Sequence, residues 1–523
     1  MMLITTLNMK CIKRLVAMFV ATASVLFAVS CSEETANVNL ASKDNMIPDN
    51  AILAVKVMPE QLWSKLVGNP HSEASRLWNM AKLYLPLQIN KYGELGKVIK
   101  SAIDDPTTLG VCLDEPVVMT LSLDKKADVR GGAFGEMCYV ALLEDSNSFV
   151  KAVDALVEYA KEDCGIDITK STSGSFTHYQ AILEDKSIDL GVTSESAVLR
   201  YSVNPSNDLQ SSMGKLFANR ENASKSGVTE FYSSTSDLTL WLDVDGTIDT
   251  FMPILKIQQP GMAALLEGES SFYEGTSILT QLDFKKGETV MSLDMCGSDK
   301  IKELAQKYLA VASDKQFKSL PNSLFVTANV AIKDLSGLVD EICSLNGEYA
   351  KKLKEVGIDD DILAGGPGLI SVAFTPLEGK LQCGLAIECD KNVWDFLKDN
   401  ISKKSSEDLL WYSNDICIVN DEAIVMYDAG AVRVYSRDAY NFTTYGDTFD
   451  MSNYAGEIKK GGVVVNLHAL DDYPQLFEAL DLAALVMSFS EDFTGVKLSL
   501  KMDDEESTLL EKFVGFAALQ NKN

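Results

Sequence analysis

Histidine is nearly missing from this chain, which has three among 523 residues, at His71, His178 and His468. That leaves little imidazole for a zinc site or a Ser–His pair. The three stand far apart, and no Gly-x-Ser-x-Gly elbow accompanies any of them. Cys-x-x-Cys is absent as well, which removes the usual thiolate pairs of a structural zinc site. Positive charge is scarce: 47 Lys+Arg stand against 75 Asp+Glu, a formal net charge of −28. So acidic a surface repels nucleic-acid phosphates and anionic headgroups, and a nucleic-acid partner is set aside. Beyond residue 30 no apolar run approaches the ~20 residues that a membrane-spanning helix needs.

What is present begins at the N-terminus. Lys10, Lys13 and Arg14 precede an almost wholly apolar stretch at 15–29, and small residues follow it. A basic start, a short apolar run and small residues before a cut mark a secretory signal, with Met1 or Met9 as its start. The run is too short to serve comfortably as a spanning helix. Leu26-Phe27-Ala28-Val29-Ser30-Cys31 resembles a bacterial lipobox. That resemblance implies cleavage before Cys31, diacylglycerol on its thiol and acylation of the freed amine. More than one chain is needed because a single acyl group binds a membrane only marginally.

Ser32-Glu33-Glu34-Thr35 opens a polar stretch to about residue 45 without apolar periodicity, as expected of a flexible tether. An acidic pair just after the lipidated cysteine also resembles the surface-export signal of Bacteroidetes lipoproteins. The cell surface is thereby favoured over the periplasmic face, with both left open. The boundaries expected are a signal at 1–30, an acylated tether at 31–45 and a folded body beyond. Removing the signal takes away three positive charges and no negative ones, so the body is more acidic still.

Eight cysteines remain after Cys11 and Cys31. An even count in an exported protein invites disulfides. Against that, the body is large enough to fold without staples, and Cys138-Tyr139-Val140-Ala141-Leu142 and Ile416-Cys417-Ile418-Val419 read as strands. Cysteine there acts as a small buried hydrophobe.

The body carries an internal repeat. Met46-Ile47-Pro48-Asp49-Asn50-Ala51-Ile52-Leu53 and Ser319-Leu320-Pro321-Asn322-Ser323-Leu324-Phe325-Val326 each read as a proline turn entering an alternating strand, then an amphipathic helix. Four further blocks match in the same order: 113–121 with 365–373, 138–161 with 383–401, 237–242 with 461–467, and 278–309 with 485–516. Two repeat units follow, 46–312 and 319–516, the first lengthened by loop insertions. Strands outnumber helices, and tight turns such as 491–496 imply antiparallel pairing. The expected class is α+β, with helices covering antiparallel sheets.

Together, the lipobox signal, the Ile-Pro-Asp-Asn-Ala block and the two-unit layout resemble a Bacteroidetes outer-membrane lipoprotein family of unknown function. The resemblance covers most of the body. It implies a Gram-negative bacterium and an outer-membrane anchor, and it supplies no catalytic residue.

One motif points elsewhere. Leu238-Thr239-Leu240-Trp241-Leu242-Asp243-Val244-Asp245-Gly246-Thr247 looks like the first motif of the haloacid dehalogenase superfamily. The resemblance implies Asp243 as nucleophile on phosphorus, Asp245 as acid/base and a magnesium ion held by carboxylates, with Asp447 and Asp450 as the distal pair. The matched strand of the second unit ends at Leu467-His468 without aspartates, so the favoured reading is a strand-end turn rich in Asp and Gly.

Other motifs read as ordinary structure. Ala364-Gly365-Gly366-Pro367-Gly368 lacks the Gly-Lys-Ser/Thr of a phosphate loop. His71 and His178 read as loop histidines, and 359–361 and 503–506 as solvated acidic turns. The aromatics between Trp411 and Tyr454 read mainly as strand residues facing a core, with a glycan platform as the alternative. The sequence assigns no cofactor. Its favoured function is a non-enzymatic envelope lipoprotein that binds a ligand, an envelope protein or a glycan; the second is a metal-dependent hydrolase centred on Asp243.

Overall fold

The computed structural model describes residues 47–520 except for 49, 124–133, 174–175, 184–185, 203–224, 269, 298, 313–325, 346–368, 378–379, 405–408, 429, 438–453, 455, 470–474 and 491–492. Cys31, the tether, the glycine-rich 364–368 stretch, Asp447 and Asp450 lie outside these residues. The chain divides into two compact units: Met1–Lys286 with Met295–Gly297 and Glu506–Asn523, and Gly287–Asp294 with Ser298–Glu505.

The first unit is built on nine strands: β1 Ala51–Val57, β2 Val117–Leu123, β3 Phe134–Leu142, β4 Ile168–Ser173, β5 Phe176–Leu183, β6 Lys186–Val192, β7 Ser196–Ser202, β8 Leu238–Asp243 and β9 Ser277–Lys285. Every neighbour pair is antiparallel, in the order β9-β8-β1-β2-β3-β7-β6-β5-β4. The alternating sequence dictates this, because successive side chains of a strand point to opposite faces. Burial alternates residue by residue in β2 and β8. One face gathers Ala54, Val118, Val140, Val198 and Trp241 into a core with Ile47 and Phe231.

Helices cover the other face. α1 is Pro59–Val67, α2 Glu73–Ile89, α3 Gly93–Asp104 and α4 Ser146–Cys164. Asp145 caps α4 by accepting from the Asn147 N–H, and Gly165 ends it at φ +65°. Phe149, Val150, Val153 and Val157, at helical spacing, pack α4 onto Tyr179, Leu190 and Val192 of the sheet. Gly110, at φ +73°, holds the start of α4 closely: its carbonyl accepts from the N–H groups of Glu144 and Asp145, and a Cβ there would lie 2.0 Å from the Asp145 carbonyl oxygen. α5 Val228–Ser233 precedes β8, and α6 Val244–Gln258 and α7 Pro260–Gly268 follow it. The C-terminal helix Leu509–Gln520 also belongs to this unit, where it packs on α1 and α2, and Thr508 Oγ1 donates to the Lys65 carbonyl at 3.0 Å.

Residues 73–104 and 244–268 form the helices α2, α3, α6 and α7.

In the second unit β10 is Glu288–Cys296, β11 Leu309–Ala310, β12 Val326–Ile332, β13 Leu369–Leu377, β14 Lys380–Glu388, β15 Leu409–Ser413, β16 Ile416–Val419, β17 Ala423–Asp428, β18 Ala431–Ser436, β19 Gly462–Asn466, β20 Leu482–Phe489 and β21 Gly495–Met502. The antiparallel order is β10-β21-β20-β19-β12-β13-β14-β18-β17-β16-β15, with β11 beside the end of β12. Its helices among the described residues are α8 Asp299–Tyr308, α9 Leu335–Leu345, α10 Lys391–Lys404 and the short Gln475–Ala479. α8 and α9 meet through Lys307 and Tyr308, both on Glu341. Trp394 of α10 is fully buried against Val425 and Val432, with Trp411 and Tyr427 beside it.

The architecture is thus mixed, with helices beside large antiparallel sheets. Cys389 and Cys417 are buried and burial pushes their thiols up, while Cys138 is buried beside Arg200 of β7.

Candidate functional site

Asp243 is the last residue of β8 and the N-cap of α6. Where a strand-end turn was expected, the strand runs directly into a 15-residue helix. The physical reason is local. Asp243 Oδ1 accepts from the Gly246 N–H at 2.9 Å and the Thr276 carbonyl accepts from the Val244 N–H at 3.1 Å, so two of the first free N–H groups of the helix are satisfied, while Thr247 Oγ1 donates to the Asp243 carbonyl. Asp243 Oδ2 lies 2.8 Å from Lys225 Nζ. Asp245 turns aside, its Oδ2 accepting from the Gly275 N–H at 3.0 Å. β9 pairs antiparallel with β8, not parallel as a dehalogenase-type sheet would. Among the described residues no group of three or more His, Cys, Asp or Glu is placed to hold a metal ion.

A second arrangement escaped the sequence reading. His178 is no loop residue: it lies in β5 and is 5% exposed. The register sets Cys138, Arg200, Asp189 and Gln180 side by side across β3, β7, β6 and β5. Asp189 is 2% exposed, and its oxygens meet His178 Nε2 at 3.3 Å, Gln180 Nε2 at 3.0 Å and Ser187 Oγ at 2.9 Å. Burial alone would raise this carboxyl; the bonds from His178 and Ser187, with the Arg200 charge, outweigh it and hold it below the usual carboxylate range. Arg200 pairs with Glu136 across β3 and β7. Ser187 donates to the carboxylate and not to the imidazole, so no serine nucleophile is activated here. The cluster is a buried polar network within the sheet, in which Arg200 Nε is left without a hydrogen-bond partner. Its signal was the alternation in Thr177-His178-Tyr179-Gln180, where His178 and Gln180 share one face.

The open concavity lies elsewhere in the first unit. Helices α1, α2 and the 3-10 turn Pro106–Leu109 enclose a groove of about 600 Å³, lined by Trp63, Trp78, Asn79, Lys82, Asp104 and Thr107 among others. The two indoles meet edge to face at 4.9 Å between centroids. Trp63 is 5% exposed and anchors the floor, while Trp78 is half-buried and carries Lys82 over its ring at 5.6 Å. Ser75 Oγ donates to the Val67 carbonyl at 2.6 Å and ties α2 to the end of α1. An aromatic wall with a few amides and charges suits a polar ligand with an apolar face.

The aromatic run at 411–454 is mostly internal. Tyr435 is buried and Trp411 and Tyr427 pack on Trp394, while Tyr412 is 69% exposed. Tyr440 and Tyr445 lie outside the described residues. His71 is an exposed loop residue, as expected.

No family model matches this chain, and no curated protein matches it. It is similar to two solved structures of TP0453: crystal form III at 13% identity over 54% of this chain and 92% of that one, TM-score 0.25, and crystal form IV at 13% over 49% and 83%, TM-score 0.25. A third is the β subunit of DNA polymerase III from Thermotoga maritima, at 12% identity over 67% of this chain and 80% of that one, TM-score 0.07. At these scores none carries a fold or a function over to this chain.

Proposed function

We propose that this protein is an outer-membrane lipoprotein, anchored through acylated Cys31, whose duplicated body binds a ligand or envelope partner without catalysing a reaction. The observation that carries the reading is the sequence Leu26-Phe27-Ala28-Val29-Ser30-Cys31, followed by the acidic pair Glu33-Glu34.

Duplication is supported by the strand orders. Replacing β1 to β9 of β9-β8-β1-β2-β3-β7-β6-β5-β4 by β12 to β20 reproduces β20-β19-β12-β13-β14-β18-β17-β16-β15. The helices after matched strands correspond as well: α1 with α9, α4 with α10, and α8 with the C-terminal helix. Binding is supported by the groove at Trp63 and Trp78, and by the use of Asp243 as a helix cap.

Mass spectrometry of the mature protein from membranes tests the anchor. A diacylglyceryl Cys31 at the N-terminus is the expected result; an unmodified Cys31 or an intact signal refutes it.

A further inference from the structure

Helix α2 displays an apolar stripe to solvent. Met80 is 42% exposed, Leu83 72%, Tyr84 62% and Leu87 72%. Their spacing of i, i+3, i+4 and i+7 places them on one helical face. Continuing that face one step each way reaches Arg76 in the first turn and Lys91 in the 3-10 turn Asn90–Tyr92, both exposed. Between Glu73 and Glu94 there are three basic residues, Arg76, Lys82 and Lys91, and no acidic one. In a chain of net charge −28 this is a local reversal of sign, so the average repulsion from anionic surfaces does not apply at this face. Arg76 shares its charge with Glu73, while Lys91 lies over the Tyr92 ring at 4.9 Å.

We infer that this face of α2 is a docking surface for an anionic lipid bilayer. Apolar side chains enter the headgroup–acyl boundary, Tyr84 sits at its polar level, and the long basic side chains at either end reach phosphate groups. The sign of the charge selects this occupant. The α6–α7 hairpin also exposes Phe251, Ile257 and Met262, but it carries Asp245, Asp249 and Glu267 against Lys256. It would be repelled by the same lipids.

The test is flotation of the chain from Ser32 onward, which lacks any acyl group and keeps every described element, with vesicles of phosphatidylglycerol and phosphatidylcholine or of phosphatidylcholine alone. Failure here leaves the Cys31 anchor standing, and a missing anchor leaves this surface standing. The unsubstituted chain is expected to float with the anionic vesicles, and salt should release it. Leu83→Asp with Leu87→Asp should cut the bound fraction at least ten-fold with the thermal midpoint unchanged, and Lys91→Glu a few-fold. Ile257→Asp should leave it unaltered. A Leu83→Trp chain, which keeps the stripe apolar, should show blue-shifted emission on anionic vesicles. No flotation of the unsubstituted chain, equal flotation of the double variant, or no blue shift overturns the inference. So does a dimer in sedimentation that the double variant dissolves without any vesicle binding, which would assign the stripe to a second copy of the chain.

Discussion

Lys225 Nζ stands 2.8 Å from Asp243 Oδ2 while the other oxygen of that carboxylate caps α6 through the Gly246 N–H. The aspartate that most resembles a nucleophile is thus occupied on both oxygens by structure. Asp243→Ala should destabilise the fold by about 1–2 kcal/mol, the usual worth of an N-cap, with a further loss because Lys225 keeps only the Ala51 carbonyl and the Trp241 ring. Asp243→Asn keeps the cap oxygen and should cost less. Urea denaturation of the three proteins measures the order. A phosphatase activity in purified protein that Asp243→Asn abolishes would contradict the binding role.

The neighbouring strand end sets a stiffer test. Asp237 is fully buried, both its oxygens lie 2.7 Å from Lys65 Nζ, and one also accepts the Phe284 N–H at 2.7 Å. It ties α1 to the sheet at β8 and β9. Lys65→Met strands a fully buried carboxylate without its cation and should cost ~3–5 kcal/mol. Asp237→Ala strands Lys65 instead, which is partly exposed and can turn its ammonium to water, and it also loses the Phe284 bond, worth roughly 0.5–1.5 kcal/mol. Its loss should therefore be the smaller. A larger loss for Asp237→Ala in chemical denaturation would make the Phe284 bond, not the ion pair, the dominant contact.

These two aspartates also show how far a sequence reaches. Strand positions were legible because β1, β2, β8 and β12 alternate in burial with period two, and each falls on a block read as a strand. Helices α4 and α10 were legible from their apolar spacing. α6 was not: Gly246 and Pro253 are helix-weakening residues, and no side chain of α6 is buried to give it a sharp apolar face. The start of a helix and a strand-end turn both favour Asp followed by Gly, so 243–246 could be read either way. His178 was misread for a different reason. Its burial depends on Asp189 and Arg200, which arrive from two later strands, and a local pattern does not contain them. The groove at Trp63 and Trp78 depends likewise on the packing of three separate segments.

Lys56 offers a pH test. Its side chain is 2% exposed, and its ammonium donates to the carbonyls of Phe231, Tyr232 and Ser234 at the end of α5. Burial pushes its pKa down to about 8. The folded chain therefore gives up this proton sooner than the unfolded chain, whose lysine titrates near 10.4. Between those values the unfolded state holds more protons, so stability rises with pH over that window. The Lys56 charge costs the fold its full burial penalty below pH 8. Compared with Lys56→Met, the unsubstituted chain should gain stability from pH 8 to 10.5, as urea midpoints at matched pH would record. A gap between the two that stays constant would place the lysine near its ordinary value, held there by the three carbonyls.

Trp394 is the corresponding anchor of the second unit. It is fully buried, its Nε1 donates to Asp415 Oδ1 at 3.1 Å, and its ring stacks on Tyr427 at 6.1 Å. Lys391, on the same carboxylate, holds Asp415 below the usual range. Trp394→Ala should cost ~3–5 kcal/mol through lost burial and the cavity left behind. Trp394→Phe retains most of the apolar area and loses one hydrogen bond, worth roughly 0.5–1.5 kcal/mol. A loss for the phenylalanine variant as large as for alanine, by thermal or urea unfolding, would make the Asp415 bond the dominant contact.

The groove gives the prediction closest to function. Trp63 and Trp78 share one edge-to-face contact but differ in exposure, so their substitutions should separate stability from binding. Trp63→Ala empties a buried site and should destabilise by ~3–5 kcal/mol. Trp78→Ala removes a half-exposed wall of the groove and should cost far less. If the groove takes a sugar ring, its apolar face stacks on an indole and its hydroxyls meet Asn79, Lys82 and Asp104. Tryptophan fluorescence titrated with soluble envelope polysaccharides should then respond in the unsubstituted chain. Trp78→Ala should lose the response with its unfolding midpoint nearly intact, and Asp104→Ala should weaken it several-fold. A response that survives both substitutions places the ligand elsewhere, because the exposed indole and the Asp104 carboxylate would then both be dispensable.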